Sequence, residues 1–172
     1  STAPFRNGNN PWISPKDMKV DYISDAIDKI TEDAVAGSSV KIIEPFSLLF
    51  VVRGMILAHS FPVAITETEV TVNQDMKAVD LSEFDRAYVL LMMKGLKREI
   101  LSRVERSSHG TCKLVSEKLW SVELPIPPRE EQKRIADKVK DLVQMCADLR
   151  RSIRTDAEKK FELADTLTSH IH

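Results

Sequence analysis

The chain has 172 residues and a formal net charge of −1, with 25 basic against 26 acidic side chains, so any surface for nucleic acid must be a local patch. Its two cysteines, Cys112 and Cys146, supply neither a disulfide framework nor a metal-ligand spacing. No apolar run is long enough for a membrane span and no signal peptide is visible, which leaves a soluble, cytoplasmic protein as the expectation. The chain opens on Ser1 rather than Met, and a piece cut from a longer protein is therefore one expectation.

Residues 1–11 are polar and broken by Pro4, Gly8 and Pro11, and they read as a loop or frayed start. Trp12 and Ile13 enter a core, and Ser14 to Met18 makes a turn. Thr31 is placed to cap a short helix ending at Gly37. Ser47 to Val52, between Pro45 and Gly54, reads as a buried strand. Arg53-Gly54 reads as a turn, and Met55 to Ala58 and Phe61 to Thr66 as further strand. Glu67, Glu69, Asp75, Asp80, Glu83 and Asp85 make the next stretch acidic.

Ser82-Glu83-Phe84-Asp85 reads as a capping box. Phe84, Tyr88, Leu91 and Met92 then fall on one helical face, and Leu96, Ile100, Leu101 and Val104 continue beyond Gly95. One kinked helix and two successive helices both fit. Arg106 to Lys113 reads as a polar loop, Ser116 as the cap of a short turn carrying Leu119 and Trp120, and Val122 to Ile126 as a last strand.

After Pro127-Pro128 no Gly or Pro occurs to the end, and a helix can begin there but cannot extend back through the prolines. Ile135, Val139, Leu142, Cys146, Leu149 and Ile153 recur at alternating four-three spacing, the pattern of a coiled-coil seam. A shifted register through Ala157, Phe161, Ala164, Thr168 and Ile171 continues it, as a stutter does. Such a helix is roughly 60 Å long, too long to be one side of a small core, and calls for a partner. Cys146 is expected as a small hydrophobe in the seam, and Asp156 with Lys160 as an i,i+4 pair. The fold class is thus α+β: a mixed α/β globular domain, residues 1–127, followed by one long coiled-coil helix, residues 128–172.

Candidate chemistry concentrates in residues 94–113. Lys94, Lys97, Arg98, Arg103, Arg106 and Lys113 stand against Glu99 and Glu105, with Ser107, Ser108, His109 and Thr111 as hydrogen-bonding tips. Lys and Arg neutralise phosphates, and Arg, Ser and Thr reach base edges. The bland alternative is a solvated helix face followed by a polar loop. Arg53 beside Gly54 is a second candidate, set against a simple turn.

Enzyme signals fail. His109 and Cys112 lack a third, orienting group. No Gly-rich phosphate loop occurs, the nuclease-like Asp156, Glu158 and Lys160 lie on the long helix, and the four histidines form no metal-ligand set.

Pro11 to Met18, Ser38-Ser39-Val40-Lys41, Arg53-Gly54, Asn73-Gln74, Gly110-Thr111 and the Leu124-Pro125-Ile126-Pro127-Pro128 to Glu131-Gln132-Lys133-Arg134-Ile135 junction follow one another along the chain. In that order they resemble the specificity (S) subunits of type I restriction-modification systems. The resemblance covers nearly the whole chain, and its last junction is the most specific part. It implies one DNA target recognition domain plus one spacer helix, where a complete S subunit resembles two such units in tandem, each domain reading half of a split site. It leaves open half of a longer subunit and a half-sized subunit that pairs with a copy of itself. It implies no catalytic residue and no cofactor on this chain. S-adenosylmethionine, ATP and Mg²⁺ belong to methyltransferase (M) and restriction (R) partner subunits. Pairing as a homodimer would use Ile135, Val139, Leu142, Cys146, Leu149, Ile153 and Phe161. The resemblance raises the DNA-contact reading of Lys94, Lys97, Arg98, Arg103, Arg106, Ser108, His109, Thr111 and Lys113, with Arg53 beside them. The alternative function is a coiled-coil interaction module that does not itself read DNA. Salt-dependent retention on a DNA resin separates the two.

Overall fold

A computed structural model describes residues 6–38, 40–107 and 110–169. The chain divides into two compact units, Ser1–Gln132 and Lys133–His172.

The first unit holds two four-stranded sheets. The first sheet has the order β3-β1-β7-β4, with β1 at Arg6–Ile13, β3 at Lys29–Ile30, β7 at Val70–Val72 and β4 at Ile42–Ile43. The second has the order β2-β6-β5-β8, with β2 at Tyr22–Ile23, β6 at Val63–Thr66, β5 at Ser47–Val51 and β8 at Met76–Asp80. β1 runs parallel to β7 and β2 parallel to β6, while the other pairings are antiparallel. All five residues of β5 are buried, as a strand between two neighbours with both faces covered must be. The rings of Phe50 and Phe61 meet with centroids 5.9 Å apart. Four short helices complete the unit: α1 Glu32–Ala36, α2 Arg86–Gly95, α3 Lys97–Ser102 and α4 Ser116–Trp120. α2 packs against β6 and buries Tyr88, Val89, Leu90 and Met93, while α3 buries Ile100.

Several sequence expectations hold here. Thr31 Oγ1 accepts from the Ala34 amide at 3.2 Å, and the α1 cap falls at Gly37. The Ser14–Met18 turn closes when the Ser14 amide and hydroxyl both donate to Asp17 Oδ2, at 2.9 and 2.8 Å. Of the two readings around Gly95, two successive helices form.

Others need correction. The polar start is a strand from Arg6 on, because Gly8 passes so close to the next chain that a Cβ there would stand 1.9 Å from the Ile30 carbonyl oxygen. Residues 55–58 form a 3-10 turn rather than strand. The acidic stretch contains β7 and β8, which bury Val70, Thr71 and Met76, while its carboxylates lie outside the strands or, at Asp80, on the last strand residue. Asp85 alone caps α2, accepting from the Tyr88 amide at 2.9 Å, while the Ser82 hydroxyl donates back to Asp80 at 2.7 Å. The buried face of α2 is accordingly rotated toward Val89, Leu90 and Met93. α4 has Val115 at its cap with no side-chain bond. Residues 122–126 form no strand; the Tyr88 hydroxyl instead holds that segment by donating to the Pro125 carbonyl at 2.6 Å.

The last helix, α5, runs Arg129–Ser169, about 60 Å at 1.5 Å per residue. Its first turn belongs to the first unit. There Gln132, 2% exposed, accepts from the Asp85 amide at 2.9 Å and donates to the Pro127 carbonyl at 2.8 Å. In the second unit Ile135 and Val139 are half-buried, and Leu142, Leu149, Ile153 and Phe161 are exposed. Cys146, expected as a buried seam residue, is exposed in this single chain. Val143 and Met145, not singled out from sequence, widen the exposed apolar stripe. The ion pair on the later turns is Arg154–Glu158 at 3.8 Å rather than the expected Asp156–Lys160. Ala164, Thr168 and Ile171 lie outside the residues whose side chains are described.

Candidate nucleic-acid interface

The segment expected as a polar loop is a hairpin. β9, Glu105–Arg106, pairs antiparallel with β10, Cys112–Lys113, in the register Arg106 opposite Cys112 and Glu105 opposite Lys113. Its turn closes through the Ser107 amide on the Thr111 carbonyl and the Gly110 amide on the Ser107 carbonyl, both 2.9 Å. The Thr111 amide also donates to Ser107 Oγ at 3.1 Å. Gly110 has φ +84, a conformation in which a Cβ is strained.

On its other side β10 meets the segment after β5. Arg53 and Lys113 form an antiparallel bridge. The Gly54 amide donates to the Cys112 carbonyl and the Leu114 amide to the Val52 carbonyl, each at 2.9 Å. A three-stranded ribbon results, in which Arg53 and Lys113, 60 positions apart in sequence, stand side by side. Residues directly opposite in an antiparallel pair project to the same face, and neighbours along a strand to opposite faces. Arg53, Lys113 and Glu105 therefore share one face. Arg106 falls on the other with Cys112, which is 2% exposed, although Arg106 itself is exposed at the ribbon's edge.

The charges on the shared face are partly matched. Arg53 Nε stands 3.8 Å from Asp75 Oδ1, while the Asp75 carbonyl accepts from the Val52 and Arg53 amides at 2.8 and 3.2 Å. Lys118 of α4, not among the expected residues, holds Glu105 at 2.9 Å. With Glu105 held by Lys118 and Arg53 set against Asp75, Lys113 leaves the face net positive. Nothing in the spacing of the sequence foretold the Lys118–Glu105 pair, which exists only because α4 returns beside the hairpin.

The helical candidates divide. Lys94, on the last turn of α2, lies 2.5 Å from Asp21. Arg103 serves as a tie within the fold: its guanidinium donates to Glu99 at 2.7 Å, to the Ser121 hydroxyl at 2.6 Å and to the Lys118 carbonyl at 3.4 Å. Lys97 is half-buried and Arg98 exposed on the first turn of α3. Thr111 is exposed. Ser108 and His109 lie outside the described residues. The hairpin thus brings together Arg53, Thr111 and Lys113, with Arg106 on the reverse side, while Lys94 and Arg103 are held by partners of their own.

Among the described residues no group of three or more His, Cys, Asp or Glu converges as a metal site, and no helix is long and apolar enough to cross a membrane.

A domain of mixed sheets with a basic hairpin, continued by a long helix with an apolar stripe, is also found in known proteins. Residues 3–159 match the family model of the type I restriction modification DNA specificity domain, and the chain belongs to that family. It is 38% identical over 134 residues to the EcoR124I/EcoR124II specificity subunit of Escherichia coli, an alignment that takes in 77% of this chain and 33% of that protein. It is 33% identical over 138 residues to the MjaIX specificity subunit of Methanocaldococcus jannaschii, over 77% of this chain and 31% of that one. The chain therefore spans about a third of the length of these curated relatives. Two solved structures share the fold. One is the HsdS subunit from Thermoanaerobacter tengcongensis, with a TM-score of 0.61 at 17% identity over 88% of this chain and 35% of that one. The other comes from work on complex assembly and conformational transition of the type I R-M system, with a TM-score of 0.63 at 18% identity over 91% and 37%.

Proposed function

We propose that this chain is one DNA-reading unit of a type I restriction-modification specificity subunit, and that the Arg53–Lys113 face of the ribbon is where it meets duplex DNA. The observation that carries this reading is the bridge joining Arg53 to Lys113. It places two cations side by side on an exposed ribbon in a chain whose net charge is −1. Two such cations contact phosphates, and the exposed Thr111 beside them offers a hydroxyl to base edges. Arg98 and Lys97 extend the phosphate contacts, and Arg106 serves the reverse side of the hairpin. Arg103 acts by holding α3 to α4.

The chain carries no catalytic role and no cofactor of its own in this reading. Methyl transfer and cleavage fall to M and R subunits, which hold S-adenosylmethionine, ATP and Mg²⁺ and meet the specificity unit in the cytoplasm. The stripe from Ile135 through Leu142, Leu149, Ile153 and Phe161 pairs with a second helix of the same kind. That helix comes either from a second copy of this chain or from a second unit in the same subunit. A two-fold pair presents two recognition domains to a split site.

Binding of labelled target and scrambled duplexes across a salt series tests the assignment. A contact to phosphate shows as uniform weakening on both sequences when it is removed. A contact to a base weakens the target alone, by roughly 1–3 kcal/mol. A chain that self-associates but shows no salt-dependent affinity for any duplex would be an interaction module instead.

A further inference from the structure

Where the two sheets part, an open cleft of about 700 Å³ lies between their free edges, β4 on one side and β8 on the other. That size is within the range of small-molecule pockets. Its walls carry Trp12, Trp120, Lys41, Lys77, Asn73 and Gln74. Four features define what it can hold. The charged residues among its lining are two lysines and no carboxylate. Trp120 is 62% exposed, so a large aromatic ring in the lining is open to a ligand. The Trp12 indole Nε1–H is buried and finds no acceptor in the protein. Gln74 is exposed, and the Asn73 carboxamide oxygen accepts from the Asp75 amide at 3.1 Å, which leaves its NH₂ free to donate. Aromatic faces interleaved with lysines and carboxamides suit a planar, hydrogen-bonding anion, which is the chemistry of a nucleotide.

The cleft also adjoins the surface already described. Asn73 and Gln74 lead directly into Asp75, whose carbonyl and carboxylate both hold Arg53, and Trp120 ends the helix that follows β10.

We propose that this cleft is a second DNA contact that takes a single unstacked nucleotide, its base against Trp120 and its phosphate between Lys41 and Lys77. The proposal rests on the DNA-reading assignment above, extending the ribbon's duplex contact to a strand that has left its stack. A paired base hides both faces, so the cleft discriminates single strand from duplex.

Trp12 and Trp120 are the chain's two tryptophans, and intrinsic fluorescence therefore reports on this cleft directly. The full chain is titrated with a mixed-sequence single-stranded oligonucleotide, its blunt duplex, a deoxynucleoside monophosphate, inorganic phosphate and an acidic peptide. The single strand is expected to quench the emission. Trp120→Ala is expected to weaken single-strand binding roughly 5- to 150-fold, the range for losing one base–aromatic stack. The double variant Lys41→Ala/Lys77→Ala, both at positions away from the core, is expected to lower the salt slope of single-strand binding by about one to two units. Duplex affinity, read by anisotropy of a labelled end, stays unchanged in both variants. The proposal is overturned if the single strand leaves the emission unchanged, or if the double lysine variant binds it as the unmodified chain does. The monophosphate, which carries both the base and the phosphate, is expected to quench as well, and the proposal is also overturned if it does not or if inorganic phosphate or the peptide binds as tightly as the strand. Loss of salt-dependent duplex binding by the unmodified chain would instead defeat the ribbon assignment, so the two failures are separable.

Discussion

Alternation along three short strands decides which basic residues can act together. Arg53 and Lys113 are register partners and face one way, while Arg106 is one residue out of phase with Lys113's partner. Each phosphate contact removed lowers the salt slope by about 0.9. Arg53→Ala and Lys113→Ala should each do so on every sequence, and Arg106→Ala should leave that slope closer to the unmodified value. The fold itself hangs on two small residues. Thr66, fully buried, donates from Oγ1 to the Glu44 carbonyl at 2.9 Å and accepts from the Ser47 amide at 2.9 Å. These bonds hold Phe46 at φ +68, an outlier for an aromatic residue, with Arg86 4.0 Å above its ring. Thr66→Val keeps the shape but strands the Ser47 amide, and should cost roughly 1–3 kcal/mol in urea unfolding. Gly8→Ala should cost at least as much, since the new methyl would meet backbone rather than a movable side chain. Asp80 is held below the usual carboxylate range by the Ser82 hydroxyl and amide. Its contribution to stability is therefore present above the unfolded pKa and lost as pH falls through the folded one. Ser82→Ala should move the Asp80 titration upward in an NMR pH series.

Elements were legible where a local signal and the tertiary demand agreed. Thr31 with Gly37 bracketed α1, and the run Ser47–Val52 announced the buried strand that forms as Ser47–Val51. The long helix was legible from its heptads and from the absence of any breaker after Pro128. The misses share one cause. β1 begins in a polar, glycine-containing stretch whose strand conformation comes from long-range pairing with β3 and β7, which no local propensity encodes. The acidic segment hid β7 and β8 because they are only three and five residues long and their burial does not alternate, and the hairpin at 105–113 has two residues per strand. Nor could the Arg53–Lys113 bridge be read from either segment alone; it needed the topology. α5 carries a prediction of its own. Leu149 is 62% and Ile153 60% exposed in the single chain, and burying each against a partner contributes roughly 1.5–3 kcal/mol. Leu149→Asp should therefore yield monomers by light scattering with the first unit's unfolding transition intact, whereas a chain already monomeric at high concentration would contradict pairing through this stripe.

For the whole molecule, the division after Gln132 separates, on the proposed reading, a unit that meets DNA from a helix that pairs. On that reading, a unit that carries two well-placed cations would bind DNA weakly by itself, and pairing through α5 would make the second half-site's contact intramolecular, raising avidity. Membership of the type I specificity family is consistent with the proposed design, in which phosphate contacts multiplied by pairing supply affinity. The central claim is that the ribbon face built by Arg53 and Lys113 engages duplex DNA. Fluorescence anisotropy of a labelled duplex across a salt series, comparing the unmodified chain with Arg53→Ala/Lys113→Ala, tests it most directly. The account predicts salt-dependent binding whose slope falls by about two units in the double variant, equally on target and scrambled sequences. An unchanged slope and affinity in that variant would contradict it and move the interface off this face.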